Sequence, residues 1–197
     1  MTRQNPIPKP IPVNLVAWNP DWPRIAAMHA ELLSVLDPAL VAVYHIGSTA
    51  VPGLAAKPII DLMPLVTDLA ALDAQQAKLE ELGYQWHGEV GIDGRRYCTL
   101  SGESGVRLVQ LHFFQTGSPQ AERHLAFRDF LRTHPEITLE YEKEKRRARD
   151  LHPNDSHAYN DEKAAWVREV EARALSWSKN NFFSSRRVSI KHQVQTR

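Results

Sequence analysis

Three features of the sequence predict an α+β fold. Two apolar runs, Val41 to Ile46 and Ile59 to Val66, read as buried strands. Three further strand-like stretches, Tyr84 to Glu89, Arg95 to Leu100 and Val106 to Phe114, are separated by the turns Gly91-Ile92-Asp93-Gly94 and Ser101 to Gly105. Helical periodicity precedes the first run and takes over again from Ala121. The expected architecture is a sheet of about five strands flanked by helices, with a C-terminal helical segment.

Residues 1–14 read as an extended arm, because Pro6, Pro8, Pro10 and Pro12 crowd its first dozen positions. A first helix opens at Asp21 with Pro23 in its first turn, and Ile25, Met28, Leu32, Leu33 and Leu36 repeat at helical spacing. Thr67 or Asp68 caps a second helix that stops at Gly83, where a glycine can adopt the left-handed conformation that ends helices. Beyond Ala121, Pro135 and Pro153 divide the helical region, and Asp155 or Ser156 opens a last helix reaching about Leu175. Glu140, Glu142 and Glu144 alternate with Lys143, Arg146 and Arg147 at the spacing of a solvated, ion-paired helix face. A single domain is expected over 15–178. Residues 179–197 are expected to form a disordered basic tail, since Asn180 to Arg197 contains no acidic residue and no apolar period.

Composition narrows the class. The 24 Lys and Arg residues against 23 Asp and Glu leave a net charge of +1, so no bulk field draws in nucleic acid or a membrane. A single cysteine, Cys98, excludes an internal disulfide framework and suits a reducing, cytoplasmic setting. No run approaches the ~20 apolar residues of a membrane span, and the proline-bearing N-terminus lacks the apolar core of a secretory signal.

The chemistry concentrates in His45-Ile46-Gly47-Ser48-Thr49-Ala50-Val51-Pro52-Gly53-Leu54-Ala55-Ala56-Lys57-Pro58-Ile59-Ile60-Asp61. A glycine and a hydroxyl residue close one strand, and an aspartate stands inside the next. A helix start with free N–H groups and a serine hydroxyl can cradle phosphate, and a strand-borne carboxylate can bring a cation such as Mg²⁺ to it. The segment is not a Walker A loop, because Lys57 follows Ala56 and no Gly-Lys-Ser/Thr ending is present.

This segment resembles the signature of the nucleotidyltransferase superfamily and, in its wording, the GrpB family of bacterial proteins. Other blocks are similar in the same order: Trp18-Asn19-Pro20-Asp21-Trp22-Pro23, Gly94-Arg95-Arg96-Tyr97, Leu111-His112, His124 to Arg132, and Tyr159-Asn160-Asp161-Glu162-Lys163. The resemblance covers roughly residues 15 to 172. It implies a nucleotidyltransferase-like mixed sheet in which Gly47 and Ser48 open a helix onto phosphate and Asp61 holds a metal ion, Mg²⁺ or Mn²⁺. It also gives a hint toward nucleotide metabolites, since a domain of this family is fused to dephospho-CoA kinase in some bacteria.

Residue by residue, alternation places Asp61 with Ile59 and Met63 on one strand face, opposite Ile60 and Leu62. A charge in a buried strand needs a metal, a cationic partner or access to solvent, and Lys57 or Arg96 could be the partner. The superfamily pattern places a second carboxylate two residues on, where this chain has Met63, which cannot ligate Mg²⁺. His112, sharing a face with Gln110 and Phe114, is either a catalytic or metal-ligating group or a packed histidine. His45 either meets phosphate and orients Asp61 or packs behind them. Thr49 and Lys57 join the expected phosphate site, and of Arg95 and Arg96 one should face the cleft, with Arg96 assigned to the ligand.

Two function classes emerge. One is a metal-dependent transferase acting on a nucleotide or phosphorylated small molecule, with Asp61 and His112 catalytic. The other is a catalytically degenerate nucleotidyltransferase fold retained for ligand binding or protein interaction, for which Met63 argues. Neither reading calls for a membrane or nucleic-acid partner.

Overall fold

The structure, a computed structural model, describes residues 8–181. Most of the expected basic tail therefore lies outside the described residues, as do the first seven residues of the expected arm. The sheet has the order β1-β2-β5-β4-β3, with β1 (Leu40–Ile46), β2 (Ile60–Val66), β3 (Gln85–Gly88), β4 (Arg96–Ser101) and β5 (Arg107–Gln115). The β2–β5 pair is parallel and the other three are antiparallel, which makes the sheet mixed. β2 is thus an interior strand buried on both faces, as its continuous apolar run requires.

Strand alternation assigns the two faces. Ile60, Leu62 and Val66 of β2, Cys98 of β4, and Val109, Leu111 and Phe113 of β5 form one core with helices α1 (Trp22–Leu32), α2 (Leu69–Asp73) and α3 (Gln76–Glu81). Tyr44, Ile46, Met63, Leu65 and Phe114 face the other way, against Ala121 of α4 (Pro119–Thr133). Helices therefore cover both faces. The remaining helices, α5 (Pro135–Leu151), α6 (Ser156–Glu162) and α7 (Ala164–Asn181), pack with α4 around Leu54, Phe130, Tyr141 and Val170. α7 continues six residues beyond the expected end at Leu175.

Local signals explain the boundaries. α1 passes into a 3₁₀ turn over Leu33–Leu36, in place of one continuous helix. The Asp68 carboxylate accepts the Ala71 N–H at 2.8 Å, and Asp155 accepts those of His157 and Ala158 at 2.9 and 3.1 Å, both caps of exposed N–H groups. Gly83 ends α3 at φ +87°. Residues 8–14 lie along the C-terminal helices, where Ile11 and Ser156 exchange hydrogen bonds and the Val13 N–H donates to the Pro153 carbonyl at 2.8 Å. No helix of the described residues is long and apolar enough to cross a membrane.

Candidate functional site

All residues of β2 except Asp61 are buried; the Asp61 side chain is 26% exposed. It sits at the strand's opening end, on the face it shares with Met63. Gly47, which terminates β1, lies directly against it. A Cβ at Gly47 would stand 2.4 Å from Asp61 Oδ2 and 3.0 Å from both Cβ and Cγ, and the backbone there has φ +70°. Glycine is the residue that meets both conditions.

Gly47 does not lead into the expected helix. Ser48–Ala50 form a single 3₁₀ turn, too short to sum peptide dipoles into a helix N-terminus. The turn is held from outside: Trp18 Nε1 donates to the Thr49 carbonyl (3.2 Å), Arg132 Nε to the Ala50 carbonyl (2.8 Å), and Arg128 Nη1 to the His45 carbonyl (3.1 Å). Residues of two blocks that carried the resemblance thus brace the turn. His45 is a correction to expectation. Alternation from Tyr44 and Ile46 turns it away from the cavity, where it is buried with Nε2 2.9 Å from Thr49 Oγ1. Burial holds its pKa down to about 4, so it is a neutral brace for Thr49.

The turn, Asp61 and the C-terminal helices enclose a cavity of about 800 Å³. Gly47, Ser48, Thr49, Lys57, Asp61 and His112 all line it. His112 Nε2 lies 3.2 Å from Asp61 Oδ1, and its Nδ1 lies 3.2 Å from Arg95 Nη1. A guanidinium can only donate, so Nδ1 accepts and the ring proton sits on Nε2, donated to Asp61. Arg95, His112 and Asp61 therefore form a directed hydrogen-bond chain in which neutral His112 donates to Asp61. Lys57 acts on that carboxylate through space only.

The structure reverses the assignment between the two arginines. Tyr97 lines the cavity and Cys98 packs in the opposite core, so alternation sends Arg95 inward and Arg96 outward. Arg96 forms a two-pronged pair with Asp73 at 2.7 and 2.9 Å, away from the cavity. Arg95 is 9% exposed, stacks 4.7 Å over the Tyr97 ring and donates to the Val90 carbonyl.

Several lining residues were not singled out from sequence: Arg107, Arg123, His124, Lys145, Lys163 and Arg168. Three of them lie in or beside the blocks His124 to Arg132 and Tyr159 to Lys163, which was the available signal. Seven Lys and Arg side chains line the cavity against three carboxylates, Asp61, Asp161 and Glu171. Glu171 already pairs with Arg123. Lys145 is 2% exposed and donates to the Ala55 carbonyl, while Glu142, one turn earlier on α5, accepts the Ala55 N–H at 3.1 Å. Burial lowers the Lys145 ammonium to about 7 and Lys57 to about 8, each partly restored by Asp61. His124 is also pushed well below its usual range, by burial first and then by His112 and the nearby arginines.

The donor set does not fit a resident Mg²⁺ or Mn²⁺ ion. Among the described residues no three His, Cys, Asp or Glu side chains stand together as ligands. Met63, at the position of a second carboxylate, is fully buried in the core, and one Asp61 oxygen is already taken by His112. Cations crowd the cavity where acidic ligands would be required.

The family model described as GrpB protein matches residues 12–173. The UPF0157 protein YqkA of Bacillus subtilis is 37% identical over 168 residues, covering 85% of this chain and 48% of YqkA. A dephospho-CoA kinase of Mycolicibacterium paratuberculosis is 30% identical over 192 residues, covering 85% of this chain and 47% of that protein. The chain thus spans about half the length of each of these two. The crystal structure of the conserved protein GrpB from Enterococcus faecalis superimposes with a TM-score of 0.79 at 35% identity, covering 84% of this chain and 99% of that one.

Proposed function

The chain belongs to the GrpB family, and from that premise we propose that it binds a nucleotide or another phosphorylated metabolite in the cavity beside Asp61. The observation that carries the reading is the excess of Lys and Arg over carboxylates in a cavity of about 800 Å³, a volume suited to a small metabolite. In such a site Arg95, whose Nη1 and Nη2 hold His112 and the Val90 carbonyl, supplies a fixed positive charge, and Lys57 supplies a compact point charge. Ser48 offers a hydroxyl from the turn. The Arg95–His112–Asp61 chain fixes the imidazole with its Nε2 proton toward the carboxylate, a geometry that orients rather than strips a proton. Similarity to a dephospho-CoA kinase supports nucleotide-type metabolites as the first compounds to try.

The geometry favours a ligand-binding module of nucleotidyltransferase type, in which side-chain cations neutralise the phosphates. A metal-dependent transferase is the second reading, and the observation in its favour is Asp61 itself, a carboxylate at the mouth of an interior strand against the Gly47 turn. One substitution separates them. Asp61→Asn removes the negative charge from a cationic site while keeping the shape. The binding-module reading expects phosphate-ligand affinity measured in chelator to hold or rise. The transferase reading expects affinity to require Mg²⁺ or Mn²⁺ and to collapse. A thermal-shift panel of nucleoside triphosphates and CoA-related metabolites, each with Mg²⁺, Mn²⁺ or chelator, reads this directly. A ligand at about 100 times its Kd adds about 2.7 kcal/mol, or roughly 5–11 °C at ~2–4 °C per kcal/mol for this size. A flat panel with intact protein refutes both readings for these compounds.

A further inference from the structure

We propose that the cavity recognises the phosphate chain of its ligand and not a nucleobase, so that inorganic tripolyphosphate and any nucleoside triphosphate are read alike. This rests on the phosphate-ligand reading above and adds which part of the ligand the protein holds. The placement of aromatic rings relative to charges carries it. Three tyrosines line the cavity, Tyr97, Tyr141 and Tyr159, and each has a cation over its ring. Arg95 stands 4.7 Å from the centroid of Tyr97 and Lys145 stands 5.3 Å from that of Tyr141. Lys57 and Lys163 stand 5.4 and 5.1 Å from that of Tyr159.

Stacking on an aromatic face is the source of affinity that any nucleobase can use, and it needs an accessible ring. Tyr97, Tyr141 and Tyr159 are only 7%, 6% and 2% exposed. Tyr141 is also stacked on Trp166, with centroids 4.9 Å apart and planes 2° from parallel. Of the lining histidines, His112 is held between Arg95 and Asp61. His124 lies against Phe114 and His112, at 5.8 and 6.1 Å between ring centroids. Among the described lining rings only His157, in the first turn of α6, is exposed.

The same arrangement leaves the charges available to an anion. A ring face holds a cation in place without cancelling its charge, whereas a carboxylate would do both. Among the described residues Arg95, Lys57, Lys145 and Lys163 form no ion pair with a carboxylate within 4.0 Å. Lys57 and Lys163 both act on the Lys145 ammonium as like charges, a repulsion that a bound anion relieves. A single phosphate brings about two negative charges at neutral pH, so a chain of phosphates meets these cations better than one phosphate does. The ligand class is therefore a linear oligophosphate, free or as the tail of a nucleotide.

Isothermal titration of the full chain in chelator tests this, with tripolyphosphate, ATP, GTP, CTP and UTP as ligands and ADP, AMP and adenosine as the shortened series. The nucleoside triphosphates are expected to agree within about threefold, with tripolyphosphate binding at least as tightly as any of them. Affinity is expected to fall from ATP to ADP to AMP, and adenosine is expected not to bind. A stacked base adds about fivefold or more. A nucleotide bound more than about threefold tighter than tripolyphosphate therefore overturns the inference while the phosphate reading survives. A preference of that size for one base, or binding of adenosine, does the same and marks Gln110, Asn160 or His157 as a base contact. Arg95→Gln and Lys57→Gln are each expected to weaken tripolyphosphate about tenfold, the scale of one lost charge-assisted contact. Arg95→Lys is the charge-preserving variant should Arg95→Gln not fold, and unchanged affinity in both Gln variants also overturns the inference. If no phosphate compound binds to folded protein, the phosphate reading falls with it.

Discussion

Substituting Gly47 by alanine probes the contact on which the site is built. At φ +70° and ψ −171°, a region essentially restricted to glycine, a side chain costs roughly 1–3 kcal/mol from backbone sterics alone. The new Cβ would also meet Asp61 Oδ2 at 2.4 Å and the Asp61 Cβ and Cγ at 3.0 Å. Asp61 cannot swing freely, because its strand is locked between β1 and β5 and its Oδ1 is held by His112. Overpacking of this kind costs about 1–3 kcal/mol, so Gly47→Ala should lose about 2–6 kcal/mol in all. In an Asp61→Ala background the Oδ2 and Cγ contacts vanish and only the 3.0 Å Cβ contact remains, so the same substitution should cost clearly less, closer to the roughly 1–3 kcal/mol of backbone strain. Urea denaturation of the wild type, both single variants and the double variant yields the coupling, expected at about 1–3 kcal/mol. Equal costs of Gly47→Ala with and without Asp61 would refute the close approach, and with it the account of why glycine occupies this turn.

Arg96→Ala should cost roughly 0.5–1.5 kcal/mol through the half-buried pair with Asp73 and leave phosphate-ligand affinity unchanged; a loss of affinity equal to that of Arg95→Gln would contradict the inward–outward division of β4. Lys57 and Lys145, at about 8 and about 7 and facing Lys163, Glu142 and Asp61, lie well below the ordinary lysine value near 10.4. Between those limits the unfolded chain binds more protons than the folded one, so unliganded stability should rise with pH from about 7 to about 10, while anion affinity should fall over the same interval as the ammonium groups discharge. Denaturation and titration at about pH 6.5 and about pH 9 check both signs, and parallel movement of stability and affinity would sink the assignment.

The strands, the caps and the facing of Asp61 were legible because each depends on near neighbours in sequence. Alternation along β2 sets Asp61 beside Met63 whatever surrounds them. Asp68, Asp155 and Gly83 act within a turn of their own positions, so their roles could be read without the fold. The GrpB-type motif likewise lies in one segment, which brings Gly47, Ser48, Thr49, Lys57 and Asp61 to a common cavity.

Other features required the assembled structure. Gly94-Arg95-Arg96-Tyr97 announces that one arginine faces inward, but which one depends on how β4 registers against β5, where Arg96 opposes Phe113. A shift of one residue exchanges the faces. The helix expected after Ser48 is a 3₁₀ turn whose Thr49 and Ala50 carbonyls are taken by Trp18 and Arg132 from distant elements, while Arg128 holds the His45 carbonyl at the end of β1. His45, equally polar in either position, is a buried brace because the strand ends on the opposite parity from the cavity. The cationic character of the site came last. A net charge of +1 conceals it, since Lys145 on α5, Lys163 between α6 and α7, and Arg123 on α4 converge on Asp61 only when those helices fold over the sheet. Sequence determines which charges exist and on which local face they lie; packing between elements decides which of them lose water and share one cavity, and therefore what that cavity can bind.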